Sequence, residues 1–180
     1  YDQFVTSNWG RNLGENFVYL IQGAFWCKGI NPSYFNGVFS IELEDAVREL
    51  KSDAGFSNPN GILDSLWAKA LFDMSAFVLV SGGDKKIRKM QQWMNVTYTS
   101  YTGIMPCDGI YQRDTNTSLI FALQSELGYD EDTATGSIGP GTTSAIYSVS
   151  EGATGNYVKI IQYRLYVNGY YQSGSFDGIF

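Results

Sequence analysis

The sequence predicts an all-α protein built of consecutive three-helix modules joined by short linkers. Three observations predict it. A pattern recurs with a period of about 70 residues, apolar residues in each copy fall at helical spacing, and each copy carries turns centred on glycine between its helices.

The first copy reads Phe17-Val18-Tyr19-Leu20-Ile21-Gln22, followed by Phe35-Asn36-Gly37-Val38-Phe39. The second reads Ile87-Arg88-Lys89-Met90-Gln91, followed by Cys107-Asp108-Gly109-Ile110-Tyr111. The third reads Val158-Lys159-Ile160-Ile161-Gln162, followed by Phe176-Asp177-Gly178-Ile179-Phe180. Gln22, Gln91 and Gln162 are thus 69 and then 71 residues apart, the size of a small domain rather than of a solenoid repeat.

Each module opens with a helix. Its inward face is predicted from Phe17, Leu20, Ile21, Ala24 and Phe25 in the first copy, from Ile87, Met90, Trp93 and Met94 in the second, and from Val158, Ile161, Leu165 and Tyr166 in the third. Gly29 and Gly169 stop the first and third of these helices. An Asx-Gly turn follows, because glycine supplies positive φ and the Asx side chain bonds back to the backbone. A second helix is predicted over 41–53 with Leu43, Ala46, Val47 and Leu50 inward, and over 115–128 with Leu119, Ile120, Leu123 and Leu127 inward. A second turn then leads to a short third helix, with Asp64 as N-cap in the first module and Pro140 in the first turn in the second.

These signals place a leader at 1–13, module 1 at 14–78, module 2 at 83–149 and the first part of module 3 at 154–180. A lone opening helix exposes an apolar face, so module 3 is expected to continue beyond Phe180 or to be completed by a neighbouring chain. The chain begins at Tyr1 rather than Met, which reads as a processed product or a fragment.

Composition narrows the chemistry. The chain has no histidine, which excludes a Ser-His-Asp triad, a Cys-His dyad and a His-ligated zinc site within it. Net charge is −6, a poor match for nucleic acid, and the Lys85, Lys86, Arg88, Lys89 cluster reads as a solvated helix face. No stretch approaches the apolar length of a membrane span. Cys27 and Cys107 read as buried free thiols, with a disulfide left open for a secreted protein. Paired carboxylates are the catalytic chemistry that composition leaves. Glu42, Glu44, Asp45, Asp130, Glu131 and Asp132, however, read as first-turn and loop charges. Trp26, Trp67 and Trp93 sit at core spacing, whereas Tyr98, Tyr101, Tyr111 and Tyr129 lie in loops or beside turns as candidates for a partly exposed aromatic platform. Asn95-Val96-Thr97 and Asn116-Thr117-Ser118 match glycosylation sequons.

The ordered pattern resembles the peptidoglycan-binding domain appended to bacterial and phage wall hydrolases. That family shows a helix ending in an aliphatic-Gln pair, then Asp-Gly-aliphatic-aromatic-Gly-Pro-x-Thr, a helix, and a second such turn. Module 2 carries it best, in Met90-Gln91, Asp108-Gly109-Ile110-Tyr111, Thr115 and Ile138-Gly139-Pro140-Gly141-Thr142. Module 1 departs from it, with Asn36 and Asn60 at the Asp positions, Ser40 for the turn glycine, and Leu43 and Trp67 for the threonines. Cys27-Lys28-Gly29 before the first turn resembles arrays in secreted Gram-positive proteins that also carry a glycoside-hydrolase-like domain.

The resemblance implies a non-enzymatic, extracellular or wall-located chain that binds peptidoglycan, through its stem peptide or glycan, without cofactor or metal. The ligand-binding candidates are Asp108, Gly109, Tyr111, Thr115, Gly139, Thr142, Asp177, Tyr101 and Tyr129. The recurring glutamines are read as ties for the turn backbone, since a buried amide must be hydrogen-bonded. Two further roles stand beside this one: an assembly module that self-associates through module 3, and the targeting part of a wall-lytic glycoside hydrolase.

Overall fold

The computed structural model describes residues 14–170 and 175–180; the leader, with Trp9, lies outside the described residues. Among the described residues there are eight helices and no strand, beside one isolated bridge between Thr154 and Ile179. The fold is all-α, as the periodicity predicts. The helices are α1 (Glu15–Cys27), α2 (Ile41–Asp53), α3 (Ser65–Phe72), α4 (Lys85–Thr97), α5 (Thr99–Thr102), α6 (Arg113–Glu126), α7 (Pro140–Ala145) and α8 (Asn156–Val167).

The chain packs as two compact units. In the first, which runs to Val96 and takes in 104–110, Val18, Ile21 and Phe25 of α1 join Leu43, Val47 and Leu50 of α2 and Trp67, Ala68 and Leu71 of α3 in one core. Phe39, Leu63, Phe77 and Cys107 close that core from the loops. Each fully buried aliphatic or aromatic side chain contributes about 1.5–3 kcal/mol. The second unit holds 97–103 and the chain from Tyr111 onward, with α6 packed against α5 and α8. The helix α4 and the turn after it therefore belong to the first unit, although the repeat places them at the head of module 2.

Helix ends follow local chemistry. Asp64 caps α3 by accepting from the Trp67 N–H at 3.1 Å, and Pro140 opens α7. At the end of α1, Gly29 has positive φ; its N–H donates to the Trp26 carbonyl and that of Ile30 to the Phe25 carbonyl, a Schellman closure.

Several sequence expectations need correction. The buried arc of α1 is Val18, Ile21, Gln22 and Phe25, and Leu20 is 61% exposed. At 100° per residue, an arc that turns Gln22 inward puts Leu20 on the far side and Trp26 outside, 64% exposed. Phe17 and Ala24 flank that arc as partly buried residues. Trp67 is core, edge-on to Phe56 at 5.2 Å, whereas Trp93 is half-buried. Leu165 likewise lies at the surface of α8, whose buried residues are Tyr157, Val158, Ile160, Gln162 and Tyr163.

Tyr98, expected in a partly exposed platform, is buried, and its hydroxyl donates to Glu126 at 2.7 Å. Both cysteines are free, but Cys27 is exposed and Cys107 alone is buried. Of the basic cluster, Lys85 and Lys89 are solvated, while Arg88 reaches back to donate to the Cys107, Phe77 and Asp53 carbonyls and pairs with the Asp53 carboxylate at 3.3 Å. Asn95, the first sequon residue, is wholly buried, donates to the Ala54 and Met105 carbonyls and accepts from the Met105 N–H.

Candidate functional site

The turns are built by one recurring device. Gln91 is buried on α4; its Nε2 donates to Asp108 Oδ1 at 2.9 Å and to the Ile110 carbonyl at 3.1 Å, and its Oε1 accepts from the Gly109 N–H at 2.8 Å. Asp108 Oδ1 also accepts from the Ile110 N–H at 2.8 Å, closing an Asx turn. One amide side chain thus satisfies both a donor and acceptors of a turn that has no regular structure of its own.

Gln162 repeats this on α8, donating to Asp177 Oδ1 at 3.1 Å and to the Ile179 carbonyl at 2.8 Å and accepting from Gly178 at 2.9 Å. Gln22 on α1 does so for Asn36, Gly37 and Val38 at 3.1–3.3 Å. The glutamines therefore tie down the turns, as their recurrence led us to expect.

Sequence reasoning missed two further clasps. Gln124, buried on α6, donates to Thr135 Oγ1, the Ser137 carbonyl and Thr142 Oγ1 at 3.0–3.2 Å and accepts from the Gly136 N–H at 2.9 Å. Lys51, buried on α2, donates to Asn60 Oδ1 and the Ile62 carbonyl, both at 2.7 Å, with its ammonium 5.3 Å from the centre of the Trp67 ring. Burial lowers the Lys51 pKa, and the field of Asp64 opposes that shift.

An ammonium has no acceptor to offer a glycine N–H. Gly61 accordingly lacks the positive φ that Gly37, Gly109, Gly136 and Gly178 share. The signal was present in the sequence: Leu123-Gln124 and Leu50-Lys51 repeat the aliphatic-Gln pair at the ends of the second helices.

The candidate residues divide into two groups. Gly109, Thr115 and Thr142 are buried. A Cβ at Gly109 would lie 2.8 Å from the Asp84 carbonyl oxygen, and the Gly109 carbonyl accepts from the Asp84 N–H, so this glycine serves a close backbone approach. Thr142 is engaged by Gln124.

Asp108, Tyr111, Gly139, Tyr101 and Tyr129 are half-buried, and Asp177 is exposed. Tyr101 donates to the Tyr129 carbonyl at 2.9 Å, which brings those two together. The Asp177 pKa is held down at about 2 by hydrogen bonds from Ser175, Gln162 and the Ile179 N–H. Tyr111 stands apart with Asn116 and Arg164: its hydroxyl donates to Asn116 Oδ1 at 2.9 Å and accepts from Arg164, whose Nη1 also donates to Asn116 Oδ1 at 2.5 Å.

The carboxylates weighed for glycosidase chemistry lie on the first turn of α2 and in the loop after α6. Glu44 and Asp45 pair with Arg48 at 3.3 and 2.6 Å. The Glu42 pKa is lowered by a hydrogen bond with Ser40, and that of Asp130 by hydrogen bonds with Thr133. A glycosidase acid needs the opposite shift. Among the described residues no group of three or more Cys, Asp or Glu side chains is placed to hold a metal ion, and no helix is long and apolar enough to cross a membrane.

Among the described residues the chain is all-helical and its turns are clasped from buried helix positions, an arrangement consistent with an all-α fold of the peptidoglycan-binding-like class. The comparison with protein families agrees. The chain belongs to the family described as FadG/YbfG, PGDB-like domain, whose model matches residues 80–177.

The chain is 50% identical to the uncharacterized protein YbfG of Bacillus subtilis (strain 168) over 166 residues, covering 91% of this chain and 23% of YbfG. It is 36% identical to the uncharacterized protein FadG of the same organism over 174 residues, covering 94% of this chain and 30% of FadG. The chain thus spans less than a third of the length of either relative. No solved structure matches it.

Proposed function

We propose that this chain binds cell-wall peptidoglycan without catalysis and anchors or targets a larger secreted protein there. The observation that carries the reading is the family match over 80–177, because a PGDB-like domain is a binding domain and the match spans the segment with the fullest turn signature.

The clasped turns give this reading a mechanism. Gly109, Thr115 and Thr142 hold the shape of the turns. The rims, with Tyr101, Tyr111, Tyr129 and the carboxylates of Asp108 and Asp177, meet stem peptide or glycan through hydrogen bonds and aromatic packing. In our reading the repeat units 14–78, 83–149 and 154–180 are successive modules, and a second binding module raises retention through effective concentration.

The test is co-sedimentation of the full chain with purified peptidoglycan sacculi stripped of teichoic acid. The reading expects the chain in the pellet and its release by soluble wall fragments. Complete recovery in the supernatant contradicts it.

A further inference from the structure

We propose that Arg164, Asn116 and Tyr111, with Arg113 one helical turn away, form a binding site for a free peptide carboxylate. The inference rests on the wall-binding reading, since the stem peptides are the carboxylate-bearing part of peptidoglycan.

The argument is an inventory of donors and acceptors. Asn116 Oδ1 accepts from both Tyr111 and Arg164, and the Tyr111 hydroxyl accepts from Arg164 while donating to Asn116. The acceptors of the cluster are thus turned inward on its own donors. What remains unused is a set of donors: the two N–H of Asn116 Nδ2, and Nε and Nη2 of the exposed Arg164, which bond to nothing among the described residues. A cluster offering several unused N–H groups and a full positive charge is complementary to an anion, and the planar guanidinium edge matches a carboxylate's two oxygens.

The charge around it is informative. In a chain of net charge −6, Arg48 and Arg88 are each paired with carboxylates. Arg164 has none within salt-bridge distance among the described residues; its guanidinium is held by two neutral side chains. Arg113 is exposed and lies three residues before Asn116 on α6, which places the two on one helix face. Asp114, between them, is a first-turn residue of α6 and makes no ion pair with Arg164. The neutral partners fix the Arg164 head in place, which lowers the entropy lost when a ligand binds.

The experiment titrates the full chain, labelled with 15N, with N-acetyl-D-alanyl-D-alanine. Its C-terminal amide and glycerol 3-phosphate serve as comparison ligands. The proposal expects saturable shifts of the Asn116 side-chain NH2 and Arg164 Nε–H signals with the free acid, and none with the amide. It expects at least a tenfold loss of affinity in Arg164→Gln with an unchanged circular dichroism spectrum. Equal shifts with acid and amide overturn it, and so does response to the phosphate alone. The wild-type comparison of acid with amide decides the matter even where the variant misfolds. If the acid leaves these signals unmoved while the chain still sediments with sacculi, the carboxylate site falls and wall binding stands. If the chain fails to sediment and the acid is silent, both fall.

Discussion

Gln91 and Asp108 lie 17 residues apart in sequence and meet at 2.9 Å, the amide of the first holding the carboxylate of the second beneath a turn. The contact couples helix to turn: Gln91 lies on the buried face of α4 with Met90, Met94 and Asn95, and Asp108 and Gly109 begin the segment that carries the candidate rim. Replacing Gln91 by Leu removes the acceptor of the Gly109 N–H and one donor each to the Asp108 carboxylate and the Ile110 carbonyl. The expected loss is about 2–4 kcal/mol, measured by urea unfolding. Gln91→Glu sets two carboxylates against each other, so it is expected to destabilise more at pH 7 than at pH 4, where protonation relieves the repulsion.

Lys51 is the variant form of the same clasp. Lys51→Met retains the packing over Trp67 but removes the donors to Asn60 and the Ile62 carbonyl, with an expected cost of about 1–3 kcal/mol. Lys51→Gln restores the form found at the other four turns and is expected to cost less than Met. Equal losses for the two variants in parallel urea melts contradict the clasp role.

Asp177 makes the turn after α8 acid-sensitive. Its folded pKa of about 2 lies below the ordinary carboxylate value of 3.8, so its contribution is fully present above that value and is lost as pH falls through about 2. Amide-exchange protection of Gly178 and Ile179 is therefore expected to decline between about pH 4 and pH 2. Asp177→Asn is expected to flatten that decline.

The thiols differ sharply. Burial pushes the Cys107 pKa up to about 12, with the Arg88 charge opposing the shift, while Cys27 is exposed. At pH 8 a thiol reagent is expected to modify one cysteine in the native chain, Cys27, and both in urea. Rapid native modification of Cys107, read by peptide mass mapping, contradicts the packing of the first unit.

Tryptophan substitutions separate the core from the surface. Trp67→Ala is expected to cost about 3–5 kcal/mol and Trp26→Ala less than about 1 kcal/mol by chemical denaturation.

Most of the architecture was legible because it depends on period and punctuation. Helical spacing located the main helices, Asp64 and Pro140 marked the third-helix starts, and Gly29 and Gly169 marked ends. The recurring glutamines named their own role. What was hidden depends on rotation and long-range contact. Apolar spacing alone did not reveal that Gln22 shares the inward face of α1, so Leu20 and Trp26 were placed inward with it. Tyr98 reads as a loop aromatic until Glu126 supplies a partner for its hydroxyl. Lys51 was missed because a lysine does not look like a glutamine, although Nζ and Nε2 deliver the same donors. Arg164 escaped notice because its partners, Tyr111 and Asn116, lie 53 and 48 residues away.

The most direct test of the account is a binding isotherm of the full chain on purified sacculi, with the supernatant analysed for released muropeptides. The account predicts saturable binding and no muropeptides above the level from sacculi alone. Unbound protein at every concentration contradicts the binding, and steady release of muropeptides contradicts its non-catalytic character.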